Sequence, residues 1–538
     1  MKIAPVIQKD FYKSGHPRMF PDNTTLVYNN LTPRISRIKG VDKVVVFNIQ
    51  YFIKEYLDRQ WKEEFFRKPK SEVIARYKRI TDNCLGKDSV PTDHIEKLHD
   101  LGYLPLKIKA LAEGSSCPIG IPMLTYRSTH PDGYFLPGLL ETILSTTVWA
   151  PMTVATIAKE YKRILDKYAM ITVGNTDFVK FQGHDFSMRG MSSLETATIC
   201  GAGHLLSFVG TDTIPAIQFL EDYYGADIEK ELVGCSVPAT EHAVMCMGGK
   251  DGELETISRL LDLYPEGILS IVLDTWDLTK VLKPDKDGTL MQLRDKILAR
   301  NGKVVIRPDS TPEGVSIAEL LYGKGDKFLS DREKQAYYPE FYSKGVMGCL
   351  YEIFGGTINS KSFIELNPKC GVIYGDGLGL HNIEDIMKAS TETGFASTNL
   401  VCGFGSYGYQ AITRDTFGFA IKCTYGVVDG EARNIYKDPI TDDGSKRSLR
   451  GLLAVHNYTL RETKDGITVK TYKGETRPFT KEDLQEKFLK YPENIPYYVK
   501  QECTPEEESQ GLLQTIYEDG KFYNQTTLSE IRERINKN

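Results

Sequence analysis

The run Lys303-Val-Val-Ile-Arg-Pro-Asp-Ser310 turns, at Arg307, from a β-branched apolar strand into a charged, proline-stiffened turn. Three other runs end in the same way. Ile271 to Leu273 stops at Asp274, Val372 to Tyr374 at Gly375-Asp376-Gly377, and Leu400 to Cys402 at Gly403-Phe404-Gly405-Ser406. Short apolar runs bounded by turn residues read as strands. Repeated strands ending in small and acidic residues are how a (β/α) barrel gathers a site at its C-terminal rim. These strand-plus-helix units run from about Phe178 to about Ala420, and their rim chemistry suits a sugar phosphate.

Working outward, the chain of 538 residues exceeds one ordinary core and predicts a second domain. The expected division is a barrel over 171–423 and an α/β domain over 1–170 completed by 424–538. Val44 to Tyr56 passes from a strand-like to a helical pattern, and Leu104 to Ala112 alternates like a half-exposed strand that turns Lys107 and Lys109 outward. Leu139 to Tyr168 suits helices broken at Pro151. The stretch from about 322 to 368 departs from the barrel rhythm and reads as an insertion on a barrel loop. Tyr517 to Phe522 reads as a hairpin around Asp519-Gly520, followed by a terminal helix from Leu528 to Ile535.

A net charge of -5 argues against a general nucleic-acid or anionic-membrane binder, which needs a basic footprint. The N-terminus lacks a signal-like apolar core, and no apolar run has membrane-spanning length, so a cytoplasmic protein is expected. The 10 cysteines are scattered without a C-x-x-C pair and read as reduced thiols rather than a zinc site or disulfide framework.

Several motifs carry chemistry. Gly403, Gly405 and Gly408 form a G-x-G-x-x-G with Asp429 about 20 residues on, the outline of a dinucleotide site. The following segment lacks the long apolar helix face such a unit needs, so a cradle for one phosphate is the simpler reading. Phe186 and Arg189 are spaced so that a planar ring can stack on one while a phosphate meets the other; Phe186 alone also reads as core. His242 stands at an expected helix start with Thr240 as a possible N-cap, and is either structural or functional. Arg307 and Asp309 place charge directly after a buried strand, which is costly unless the charges pair or serve a ligand. Asp376 between glycines suits a ribose diol or a plain turn. Arg414, Lys422, Lys437 and Lys446 form a basic series able to hold phosphates.

Together, HDFSMRGMSSLET (184–196), GTDT (210–213), SVPATEH (236–242), IRPDS (306–310), GDG (375–377), TRD (413–415) and KDP (437–439) resemble the nicotinamide phosphoribosyltransferases, a branch of the type II phosphoribosyltransferase family. KDFYKSGH (9–16), LPLKIKALAEGS (104–115), ETIL (141–144) and PMTVAT (151–156) extend the resemblance over nearly the whole chain. It implies an irregular α/β barrel beside an α/β domain built from both chain ends. The implied reaction moves the phosphoribosyl group of phosphoribosyl pyrophosphate to nicotinamide, with Mg²⁺ carried on the diphosphate rather than on directly assigned protein ligands.

By the same resemblance, Phe186 and a partner's Tyr12 sandwich the pyridine ring, Arg307 meets the amide oxygen and Asp212 accepts from the amide NH₂. A carboxylate there repels the carboxylate of nicotinate. Arg189 and His242 fall near the diphosphate, Asp309 and Asp376 near ribose and metal, and Gly375 and Gly408 at the nucleotide product. Arg414, Lys422, Lys437 and Lys446 fall on phosphates, some from the second copy of a homodimer. His242 and Asp309 are the implied catalytic pair, with His242 phosphorylated by ATP as an optional coupling substrate. Two departures stand out: the loop Gly405 to Gln410 is short and carries Tyr407, and Ala420 replaces a common hydroxyl residue. Nicotinate phosphoribosyltransferase and a non-catalytic binding homologue remain the alternatives.

Overall fold

The computed structural model describes residues 3–325, 329–437, 448–463, 466–470, 476–478 and 497–537. Two compact units result, one from Met1–Thr156, Phe219–Ala226 and Ile412–Asn538, the other from Ile157–Gln218 and Asp227–Ala411. The borders thus fall at 156 and 411 rather than at 170 and 423. One cause is that Leu136–Thr172 is a single 37-residue helix, not two helices broken at Pro151. Proline cannot donate to the carbonyl four residues back. The side-chain amide of Asn48 donates to that Thr147 carbonyl at 2.9 Å, so the helix continues.

In the barrel unit, six parallel strands lie in the order Gly210–Thr211, Gly183–Asp185, Leu400–Phe404, Cys370–Tyr374, Asn301–Arg307 and Glu266–Val272. The four apolar runs of the sequence are therefore four consecutive neighbours. Val304, Ile306, Val372, Leu400, Cys402, Leu269 and Ile271 are buried along them, as strands covered on both faces require. The segment from Cys235 to Thr240 joins the two edges through parallel bridges Gly210↔Cys235 and Ala239↔Ser270. Pro238 has no N–H to give, which keeps this closing segment from becoming a regular strand. The result is an irregular α/β barrel.

The stretch 322–368 is more than a loop insertion. Its helix Phe341–Phe354 buries Val346, Met347, Cys349, Leu350, Ile353 and Phe354 and forms part of the barrel's outer layer. Charged and aromatic residues ahead of that helix obscured its apolar face in the sequence.

The other unit holds a seven-stranded antiparallel sheet in the order Glu431–Asn434, Phe419–Val428, Thr24–Pro33, Leu124–Ser128, Leu106–Ala110, Gln514–Glu518 and Lys521–Phe522. Both chain ends contribute to it. Asp519 and Gly520 have φ of 49° and 82°, as a two-residue hairpin turn demands. Lys109 does not face solvent: it is buried against Glu508, whose carboxylate is 3.2 Å away. Among the described residues no helix is long and apolar enough to cross a membrane. All ten cysteines are free thiols.

Candidate active site

The strand ends of the barrel unit build two adjoining clusters. The first centres on Asp212, which follows the short strand Gly210–Thr211 and is fixed by its backbone N–H donating to the Asp185 carbonyl at 3.0 Å. Its Oδ1 accepts from His184 Nε2 at 2.9 Å and from Ser236 Oγ at 2.7 Å. Partial burial pushes its carboxyl up, but these bonds and the charges of His184 and Arg307 outweigh that and hold it below the usual value. Phe186 is half-buried rather than core. Cβ atoms built at Gly375 and Gly403 would come within 2.8 Å and 2.4 Å of its ring, so these two glycines make its seat. His184 flanks the same ring at 4.8 Å between centroids.

Arg307 ends the strand Asn301–Arg307 with its Nε 3.5 Å from Asp309 Oδ1, a loose pair in which Nε is buried without a hydrogen-bond partner. The internal salt bridge does not use up this guanidinium. It keeps donors for a ligand oxygen.

The second cluster centres on Asp274, which the sequence marked only as a strand end. Its buried carboxylate accepts from His242 Nε2 at 3.2 Å, from the Asp309 N–H at 3.0 Å and from Ser310 Oγ at 2.6 Å. Asp274 therefore ties His242 to the Arg-Pro-Asp-Ser turn. His242 opens the helix His242–Met247, but its N-cap is Glu241. Thr240 instead accepts from the Val272 N–H, fastening the closing segment to its neighbour. Burial, then the charges of Asp309 and Asp274, raise the carboxyl of Asp376. Three carboxylates thus converge at one rim.

Past Phe404, the loop is a single helical turn, Ser406–Tyr409, and not an open glycine cradle. Tyr409 is buried and its hydroxyl meets His204 Nδ1 at 2.7 Å, whereas Tyr407 is exposed. Gly408 approaches Tyr161, whose hydroxyl would lie 2.7 Å from an added Cβ. Exposed Arg189 sits in the turn Met188–Gly190, which packs on Ser406 so closely that a Cβ at Gly190 would lie 2.1 Å from its Oγ. The dinucleotide reading fails here, because the chain runs on into the antiparallel strand Phe419–Val428 without a packing helix. Asp429 is a turn residue at φ 54° bonded to Asn23.

The remaining residues belong to the other unit. Lys422 lines a cavity of about 490 Å³ with Arg34, Arg450, Thr32, Ser448 and Ala420. Arg34 and Arg450 escaped notice in the sequence because they are far from Lys422 along the chain and carry no motif. Two hydroxyls at this wall accompany the alanine at 420. Lys437 is exposed and its N–H donates to Ser448 Oγ at 2.9 Å, beside the cavity wall. Exposed Arg414 lies 3.4 Å from Asp415. Tyr12 is 61% exposed. Lys446 lies outside the described residues.

A model of the nicotinate phosphoribosyltransferase (NAPRTase) family matches residues 181–490. The chain is 43% identical to a nicotinamide phosphoribosyltransferase of Acinetobacter baylyi, over 99% of this chain and 97% of the relative. It is 33% identical to a nicotinamide phosphoribosyltransferase of Mycoplasma pneumoniae, over 82% of this chain and 93% of that one. Among solved structures, the nicotinate-nucleotide pyrophosphorylase of Pyrococcus furiosus aligns with a TM-score of 0.52 at 13% identity, covering 99% of this chain and 95% of that one, a likeness of fold. The chain belongs to the nicotinate phosphoribosyltransferase family, within the type II phosphoribosyltransferases.

Proposed function

We infer that the protein is a pentosyltransferase that moves the 5-phosphoribosyl group of phosphoribosyl pyrophosphate to nicotinamide, giving nicotinamide mononucleotide and pyrophosphate in NAD biosynthesis. The supporting observation is the state of Asp212, a carboxylate held ionised with one oxygen occupied by His184 and Ser236. The other oxygen remains to accept from a carboxamide NH₂. A nicotinate carboxylate in that place meets like charge, which costs several kcal/mol where solvent is excluded, so the alternative acceptor is disfavoured.

Phe186 offers one face to the pyridine ring, and Arg307 donates to the amide oxygen. The ring nitrogen attacks C1 of the ribose as the bond from C1 to the diphosphate oxygen breaks, through an oxocarbenium-like state. Asp309 and Asp376 hold the ribose hydroxyls and Arg189 meets the diphosphate, while the basic series Arg414, Lys422 and Lys437 serves phosphates, some of it supplied by a second copy of the chain. No three of the described His, Cys, Asp and Glu side chains are arranged to hold a metal ion, so Mg²⁺ would be carried in on the diphosphate rather than on directly assigned protein ligands. Carried on the diphosphate, Mg²⁺ would supply charge stabilisation for that leaving group.

His242 donates a hydrogen bond from Nε2–H to Asp274 and keeps that proton, which leaves the Nδ1 lone pair to take the terminal phosphoryl group of ATP as the bond to ADP breaks. The added charge beside the diphosphate site is the means of coupling. The exposed Tyr12 is completed in a homodimer, where the partner's Tyr12 covers the second face of the pyridine. The retained network of His242, Asp274 and Asp309 favours an enzyme over a non-catalytic homologue.

The test is direct. Purified protein with nicotinamide, phosphoribosyl pyrophosphate and Mg²⁺ should release mononucleotide and pyrophosphate one to one. Asp309→Ala should abolish this while leaving the circular dichroism spectrum unchanged; full activity in that variant would remove Asp309 from the mechanism.

A further inference from the structure

Asp212 can discriminate between a carboxamide and a carboxylate only if its carboxylate stays in one orientation. A half-exposed aspartate is free to rotate about two side-chain bonds. Here both donors that restrain it come from rigid backbone. His184 lies in the strand Gly183–Asp185, paired on one side with Gly403 and on the other with Gly210. Its side chain is 12% exposed and its ring leans on Phe186. Gly210 makes room for it: an added Cβ there would lie 2.8 Å from His184 Nδ1. Ser236 follows Cys235, whose N–H donates to the Val209 carbonyl at 2.7 Å and whose carbonyl accepts from the Thr211 N–H at 2.9 Å. Two backbone segments, both paired with the strand that leads into Asp212, thus deliver two donors to the same carboxylate oxygen.

We propose that His184, seconded by Ser236, is a specificity-positioning residue: by donating from Nε2 to Asp212 Oδ1 it aims the free Oδ2 at the acceptor's amide and keeps the negative charge in the path of a carboxylate. The imidazole acts through Asp212 and is not itself assigned a contact with the acceptor. To donate to a carboxylate, Nε2 must carry the proton, so a side chain presenting an N–H at the same place should substitute. The inference rests on the reading of Asp212 as the residue that selects nicotinamide.

The experiment measures kcat and KM for nicotinamide and nicotinate, and KM for phosphoribosyl pyrophosphate, in the wild type, His184→Leu, His184→Gln and Ser236→Ala. His184→Leu should raise the nicotinamide KM about tenfold with kcat little changed, and should lower the nicotinamide-to-nicotinate ratio of kcat/KM by about as much. Ser236→Ala should shift both in the same direction by less. His184→Gln should restore the ratio to within about threefold of wild type. The KM for phosphoribosyl pyrophosphate should not move. An unchanged ratio in His184→Leu, or a Gln variant as impaired as the Leu variant, would overturn the positioning role. A wild type that prefers nicotinate would instead overturn the reading of Asp212 beneath it.

Discussion

Replacing Asp274 by Asn changes almost no volume but rearranges the hub of the site. Two donors, the Asp309 N–H and Ser310 Oγ, converge on Oδ2, and one, His242 Nε2, reaches Oδ1. An asparagine satisfies the pair best by turning its oxygen toward them, which points its NH₂ at His242 and sets donor against donor. His242 must then shift its proton to Nδ1 or turn away. Hydrogen bonds to a charged group are worth about 1.5–3 kcal/mol each, and the bond to half-exposed His242 sits at or below the low end. One inverted bond and two weakened ones together give a loss of about 2 to 3 kcal/mol, or roughly 30- to 150-fold in kcat/KM for phosphoribosyl pyrophosphate. Removing this charge also lets the Asp376 carboxyl fall back toward its ordinary value, because Asp274 is one of the groups that raise it. The assay is initial-rate pyrophosphate release against phosphoribosyl pyrophosphate concentration, with acid-labile phosphate from ATP measured in parallel. A soluble, normally folded Asp274→Asn enzyme within about twofold of wild type in both would refute the claim that this carboxylate organises His242 and Asp309.

Gly403→Ala should raise the nicotinamide KM about tenfold and leave the KM for phosphoribosyl pyrophosphate nearly unchanged, because the new Cβ would lie 2.4 Å from the Phe186 ring and must push it out of its seat; competitive binding of nicotinamide checks this. Lys422→Ala should raise the KM for phosphoribosyl pyrophosphate about tenfold and weaken its salt dependence, since it removes a cation from the cavity wall shared with Arg34 and Arg450. Burial pushes the carboxyl of Glu113 up to about 7 from an ordinary 4.5, so the native state binds a proton that the unfolded chain releases. That contribution is full below about pH 4.5 and is lost as pH rises through 7, at a cost of up to about 3 kcal/mol. Glu113→Gln should therefore flatten the fall in urea midpoint between pH 5 and 8.

The rim was legible in the sequence because parallel strands carry their signal locally. Val304 to Ile306 and its three counterparts need only be apolar and short, and each is followed at once by a turn whose small or charged residues mark the rim. Asp309, Asp376 and Arg307 were readable for that reason. Asp274 had the same position but no flanking glycine or arginine to mark it, and its importance lies in three donors that come from residues 32 to 36 positions away. Long-range pairing hid the other features too. Pro151 reads as a break until the Asn48 amide takes the carbonyl it strands, and Lys109 reads as exposed until Glu508 arrives from the far end of the chain. The closing segment around Pro238 has no strand pattern because it makes only isolated bridges. Phe186 sat between a core and a stacking reading, and two glycines packed against its ring leave it half-buried.

The central claim is that the Asp212 carboxylate selects a carboxamide over a carboxylate. Its most direct measurement is the nicotinamide-to-nicotinate ratio of kcat/KM in the wild type and in Asp212→Asn, each supplied with phosphoribosyl pyrophosphate and Mg²⁺. The wild type should favour nicotinamide by at least about a hundredfold, and the neutral variant should bring the ratio down by about tenfold or more, with nicotinate turnover rising. A wild type that turns over nicotinate as readily, or an Asp212→Asn variant with the wild-type ratio, would contradict it.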